Sequence, residues 1–287
     1  MSHPQVETFF DPATNTATYL VSDPATGQAA IIDPVLDYEP KGAVLGHASA
    51  QKLLDAVAAR GLTLAWLLET HAHADHLSAG DWLRRQTGAP LVIGAHIAAV
   101  QKVFVPMFAA DDVSPDGAAF DRLVSDGDEL PLGALSIRVM HTPGHTPACV
   151  TYVIGDAAFV GDTLFQPDYG TARCDFPGGD AGMLYRSIRR ILALPPATRI
   201  FVGHDYLPAG RGDYRFETSV AEQRRANIHV HDGVDEAGFV AMRTARDATL
   251  APPLLILPSL QVNIRAGALP PPDAGGHVFL RLPVKLA

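Results

Sequence analysis

Cysteine is almost missing from this chain: Cys149 and Cys174 are the only two in 287 residues. Two thiols cannot build a disulfide framework. No Cys-x-x-Cys pair exists to form a zinc ribbon or a thioredoxin-like redox motif. Long apolar runs are missing too. The longest, Leu64–Leu68 and Leu254–Leu257, fall far short of the roughly 20 residues that cross a membrane. The first ten residues carry no basic segment and no apolar stretch, so they do not read as an export signal, and a cytoplasmic protein is expected. Positive charge is scarce: 22 Lys and Arg stand against 31 Asp and Glu, a net −9. That balance argues against nucleic acid as a main partner, because phosphate binding needs a basic face. No Gly-x-Gly-x-x-Gly or Walker A loop is present to cradle a nucleotide.

The charge is unevenly spread. Residues 1–143 hold 8 basic and 17 acidic side chains, whereas residues 144–287 hold 14 of each, and all but one of those 14 basic residues are Arg. Between Arg173 and Arg225 there are nine Arg, no Lys and six acidic residues. An acidic protein can therefore still present a local cationic approach to an acidic substrate. Apolar residues make up 47%, enough for a folded chain that buries a large core.

Strands are predicted over Thr16–Ser22 and Gln28–Ile32, joined as a hairpin through Asp23-Pro24-Ala25-Thr26-Gly27. Further strands are predicted at Leu62–Leu68, Leu91–Ile93, Leu135–Met140, Cys149–Ile154, Ala157–Val160 and Arg199–Val202. Helical spacing covers Ser49–Arg60, a short helix capped by Asp81, Ala95–Val103, a helix capped by Asp180, Phe216–Asn227 and Asp235–Arg243. Residues 106–131 read as loop. Two packed sheets with helices outside would satisfy this order.

The main chemical signal is Glu69-Thr70-His71-Ala72-His73-Ala74-Asp75-His76, directly after the predicted strand 62–68. In extended chain, residues i and i+2 point the same way, so His71 and His73 can converge. Imidazole and carboxylate at this density suit Zn, Fe or Mn. His145, Asp162 and His204 each follow a glycine at the end of a predicted strand. There a loop side chain is held by a rigid sheet and the backbone can approach a site closely.

This set resembles the metallo-β-lactamase superfamily. The resemblance implies an α/β fold, an αββα sandwich with the metal site at one edge of its two sheets. It makes residues 1–287 a single domain with a C-terminal extension from about 245. Three strings narrow it: His71 through Gly80, His141-Thr142-Pro143-Gly144-His145-Thr146-Pro147, and Arg173-Cys174-Asp175-Phe176. With Pro258 through Gly267, they are similar to the persulfide dioxygenase branch. That branch implies one Fe(II) held by His71, His145 and Asp162, with His73, Asp75, His76 and His204 supporting it. The reaction implied is oxidation of glutathione persulfide by O₂ to sulfite and glutathione, part of hydrogen sulfide detoxification. Neither a nucleic acid nor a membrane is expected as partner; a homodimer is allowed.

Arg173 and Tyr206 are the substrate-binding candidates, Arg173 as a planar fork for a carboxylate. Arg211, Arg215, Arg224 and Arg225 read mostly as solvated surface. Cys174 stands where the branch has Thr and reads as a packing residue; Cys149 reads as buried and inert. The alternative is a glyoxalase II-like thioester hydrolase using two Zn²⁺ and all seven ligands.

Overall fold

A computed structural model describes residues 3–284. In its first half, β1 (Gln5–Asp11), β2 (Thr16–Ser22) and β3 (Gln28–Ile32) lead to two short strands, β4 (Val35–Glu39) and β5 (Val44–Gly46). Then come α1 (Ala48–Ala59), β6 (Thr63–Leu68), β7 (Leu77–Ser78), α2 (Gly80–Thr87), β8 (Leu91–Gly94), α3 (Ile97–Phe108) and β9 (Arg122–Val124). The second half holds β10 (Glu129–Leu132), β11 (Leu135–His141), β12 (Val150–Ile154), β13 (Ala157–Phe159), α4 (Ala181–Ile191), β14 (Arg199–Phe201) and β15 (Glu217–Ser219). It ends with α5 (Val220–Ala226), α6 (Glu236–Asp247) and α7 (Ile256–Asn263).

These form two six-stranded sheets, ordered β1-β2-β3-β6-β8-β9 and β10-β11-β12-β13-β14-β15, and a small β5-β4-β7 sheet. The apolar runs of the inner strands follow from burial on both faces. Tyr19, Ala30, Ile32 and Leu68 point between the sheets to meet Val139, Tyr152, Phe159 and Phe201. Their neighbours Leu20, Ile31 and Leu67 point outward to Leu53, Leu83, Val100 and Leu260 of the helices. On the far side, Ile188 and Ile191 of α4 and Phe239 of α6 cover Val153, Ala158 and Ile200. The layers are therefore helix, sheet, sheet, helix, the sandwich the sequence implied.

Several local readings differ. Residues 106–131 are not all loop: α3 runs on to Phe108, β9 pairs with β8, and β10 begins at Glu129 and forms a hairpin with β11. Residues 216–227 are not one helix, because Glu217–Ser219 pairs with β14 before α5 begins. Asp81 does not cap α2; the cap position is Ala79, and Asp81 instead pairs with Arg84 and Arg85. Asp180 does cap α4, accepting from the Met183 amide at 2.6 Å.

Part of the stretch beyond 245 is built into the core, through Leu260, Val262 and Ile264. Asn263, at the end of α7, donates to the carbonyls of His73 and His76, both at 2.8 Å, and accepts from the Ser78 amide at 2.8 Å. One buried amide thus ties the chain's end to the histidine loop. Asn263→Leu strands those three backbone groups away from water. It should cost on the order of 3 kcal/mol, read as a lower urea midpoint at unchanged slope.

Candidate metal centre

All seven histidine and aspartate candidates lie in loops that leave the ends of β6, β11, β13 and β14. His71, His73, His76 and His204 are essentially inaccessible, and His145 and Asp162 are buried. His71, His145 and Asp162 each offer a ligand atom, all within 4.8 Å of one another; His73, Asp75 and His204 form a second such group.

The imidazoles are aimed by what holds their rear nitrogens. The carboxylate of Asp33, at the end of β3, accepts from the Thr70 amide at 2.7 Å and from the Thr70 hydroxyl at 2.8 Å. With its own hydrogen so used, the Thr70 oxygen, 3.0 Å from His71 Nδ1, can only accept there. The Nδ1 atoms of His145, His76 and His204 donate to the carbonyls of Arg173 (2.8 Å), Leu77 (3.1 Å) and Asn15 (3.1 Å). A carbonyl oxygen has no hydrogen to give, so in a neutral ring Nδ1–H leaves Nε2 as a bare lone pair. His73 is turned the other way: its Nε2 lies 3.0 Å from Asp33 and 3.5 Å from Glu69, and Nδ1 has no partner.

Two glycines make this approach possible. Gly161 has φ +48°, and a β-carbon there would meet the Thr70 hydroxyl at 2.4 Å. Gly144 has φ +141°, and a β-carbon would meet Leu184 Cα at 2.3 Å.

Buried polar atoms are normally paired. Here His71 Nε2, His73 Nδ1, His76 Nε2, His204 Nε2, Asp75 Oδ2 and Asp162 Oδ1 are all buried without a hydrogen-bond partner. Unpartnered nitrogen and oxygen atoms in two adjoining clusters, His71 with His145 and Asp162, and His73 with Asp75 and His204, are what a cationic metal would satisfy, so the residues fit a metal. Electrostatics follow the same layout. Burial, then the neighbouring charge of His73, holds His71 well below the usual imidazole range. Burial and His73 push His76 down to about 4. Burial opposes a charged His204, but Asp162 and Asp75 outweigh it and raise the group to about 9. His204 Nε2 lies 3.2 Å from both carboxylates, ion pairs by distance though not aligned hydrogen bonds.

The centre opens into a cavity of about 420 Å³ lined by Asp75, His145, Asp162, Phe165, Tyr169 and Tyr206, among others, a size suited to a small molecule. Tyr206 stands where the sequence put it, on the cavity wall, its ring 5.4 Å from that of His204. Although 37% of Tyr206 is exposed, crowding around its phenol, then Asp162 and Asp75, hold that group well above its usual range, so it stays a hydrogen-bond donor. Arg173 also lines the cavity. Its guanidinium, however, is already paired with Asp175 and with the Ala251 carbonyl, and its own carbonyl holds His145.

Residues 11–204 match the metallo-beta-lactamase superfamily. The chain belongs to that superfamily. A Burkholderia pseudomallei protein named as a probable metallo-hydrolase is 57% identical, over 97% of this chain and 98% of the relative. An Agrobacterium fabrum beta-lactamase hydrolase-like protein is 51% identical over 98% of this chain, which spans 65% of that longer relative. Human persulfide dioxygenase ETHE1 is 33% identical over 75% of this chain and 71% of its own length. The crystal structure of ETHE1 from Myxococcus xanthus superposes with a TM-score of 0.74 at 33% identity, over 92% of this chain and all of that one.

The superfamily fold accounts for why the ligands sit at strand ends. Sequence reading overlooked Asp33, Glu69, Asn263 and Asn15. Asp33 had a signal: it ends the apolar strand Gln28–Ile32 as Glu69 ends Thr63–Leu68. Asn15 contributes only a backbone carbonyl, which carries no side-chain signature.

Arg211, Arg215 and Arg224 pair with Asp205, Asp213 and Asp232 and do not line the cavity. Cys174 packs against α4 and α6, and burial raises both thiols, Cys149 to about 12, so neither is a thiolate. Asp33→Asn keeps the shape but weakens the hold on Thr70 and His73. A chelator-competition titration should show metal affinity falling 10–100-fold, with no change in far-UV circular dichroism.

Proposed function

We propose that the chain is a persulfide dioxygenase, an oxidoreductase that converts glutathione persulfide, O₂ and water to sulfite and glutathione. The observation that carries this reading is the open face of His71, His145 and Asp162. Two imidazoles and one carboxylate within 4.8 Å, with His145 and Asp162 on the cavity wall and His71 buried behind them, form the ligand pattern of mononuclear non-haem iron oxygenases. The kinship with human and Myxococcus proteins named ETHE1 supports it. When bound, Fe(II) would supply the redox chemistry and the open coordination positions that O₂ and a persulfide require.

The chain's own residues supply position, polarity and exclusion of water. His71, His145 and Asp162 would hold the iron, each oriented by the network described above. Phe165, Pro253 and Leu255 give the cavity apolar walls, which limit water around the reacting sulfur. Tyr206, on the cavity wall beside His204, would offer its hydroxyl as a hydrogen-bond donor to charge developing on sulfur and oxygen. Sulfite gains both atoms of O₂ and one oxygen from water, and the sulfur–sulfur bond breaks to release the thiol.

A second reading has its own support. His73, Asp75 and His204 form another group of ligand atoms within 4.8 Å, and His76 Nε2 is also unpartnered. A binuclear Zn²⁺ hydrolase of glutathione thioesters would use both groups. Relatives that carry hydrolase and glyoxylase names, such as the 44% identical Glyoxylase B2 of Dictyostelium discoideum, favour it.

Anaerobically purified, iron-loaded protein given glutathione persulfide should consume O₂ and release sulfite in roughly equal amounts, read by oxygen electrode and sulfite assay. Hydrolysis of S-lactoylglutathione without O₂ uptake would contradict the dioxygenase and favour the binuclear hydrolase.

A further inference from the structure

Glutathione carries two carboxylates, so a site that prefers it needs a fixed cation within a tripeptide's reach of the metal centre. Three arginines line the cavity: Arg173, Arg243 and Arg246. The guanidinium of Arg173 is committed to Asp175 and to the Ala251 carbonyl. Arg243 is only 1% exposed and is committed to Asp247 at 2.6 Å and to the Thr171 carbonyl at 3.2 Å. Arg246 differs. It is exposed, and among the described residues its guanidinium has no acidic partner and no hydrogen bond.

Arg246 is nonetheless held in place and connected to the centre. It sits in the last turn of α6, one turn beyond Arg243. The Asp235 cap fixes the start of that helix, and the buried Arg243–Asp247 pair fixes its end. Its charge is felt at the Tyr169 phenol, where it opposes the effect of burial. Tyr169 stacks on Tyr206 with ring centroids 4.9 Å apart, and Tyr206 stacks on His204 at 5.4 Å. An aromatic wall therefore runs from the metal centre to Arg246. In glutathione the carboxylates lie on the order of 7–10 Å from the sulfur, two to three extended residues. The two ring-to-ring steps from His204 through Tyr206 to Tyr169, 5.4 and 4.9 Å, span a distance of that order, so a thiol end at the metal leaves the acid end near Tyr169 and Arg246.

We infer that Arg246 is the residue that selects the substrate's acid end, binding a carboxylate of a glutathione-sized thiol while its sulfur lies at the metal centre. This rests on the reading that the site takes glutathione-borne sulfur. A fork-shaped guanidinium with no internal partner binds such a group without first breaking an ion pair, which Arg173 and Arg243 would have to do.

The test is calorimetric titration of the metal-loaded protein with S-methylglutathione, which cannot turn over, and with its diethyl ester, which lacks both carboxylates. Wild type, R246Q and R246K are compared, with circular dichroism to verify folding. Wild type should bind the acid about tenfold more tightly than the ester. R246Q should bind the two alike, and R246K should recover part of the difference. Equal affinity of wild type and R246Q for S-methylglutathione overturns the inference, as does a wild type that fails to distinguish acid from ester. O₂ uptake on the same wild-type preparation reads the reaction separately: intact, Arg246-dependent binding without O₂ uptake would contradict the dioxygenase while leaving the role of Arg246 standing.

Discussion

The Asp33 carboxylate accepts from both the amide and the hydroxyl of Thr70, and the metal centre is organised around that pair of bonds. They lock the end of β6 to the end of β3. They also turn the Thr70 oxygen into an acceptor for His71, which leaves His71 Nε2 bare and facing inward. The same carboxylate faces His73. A single buried acid thus orients two imidazoles two residues apart. It can do so only because β3 and β6 are parallel neighbours whose ends lie side by side.

This arrangement is costly in the absence of metal. Six polar atoms are buried without partners, and Glu69 is so deeply buried that its carboxyl rises above its usual range despite the nearby His73. The layers around it supply what holds it together. The apolar faces between the sheets and beneath the helices fix the strand ends, and Asn263 fixes the loop between them. Metal binding to such a preformed site adds to the stability of the folded chain, because the unfolded chain has no equivalent site.

The histidine and aspartate cluster was legible in the sequence because the chemistry is concentrated. Four candidate residues fall in one short loop, and the other three follow strand-end glycines. The sandwich was legible from the order of predicted strands and helices, and from the resemblance its histidine motifs carry. The smaller elements were not. Strands as short as Arg122–Val124 and Glu217–Ser219 owe their conformation to partners far away in sequence, so local pattern carries little trace of them. Arg173 reads as an available cation in the sequence, but in the fold Asp175, two residues on, pairs with it. Arg246 escaped notice for the opposite reason: what sets it apart is the lack of an internal partner, and only the folded arrangement reveals that.

The number of metals divides the two chemistries this framework can support. The most direct measurement is anomalous diffraction at the iron edge from crystals of the anaerobically iron-loaded protein. One iron, held by His71, His145 and Asp162 with no second peak beside His73, Asp75 and His204, is the expected result. Two metal ions, the second beside His73, Asp75 and His204, would contradict it.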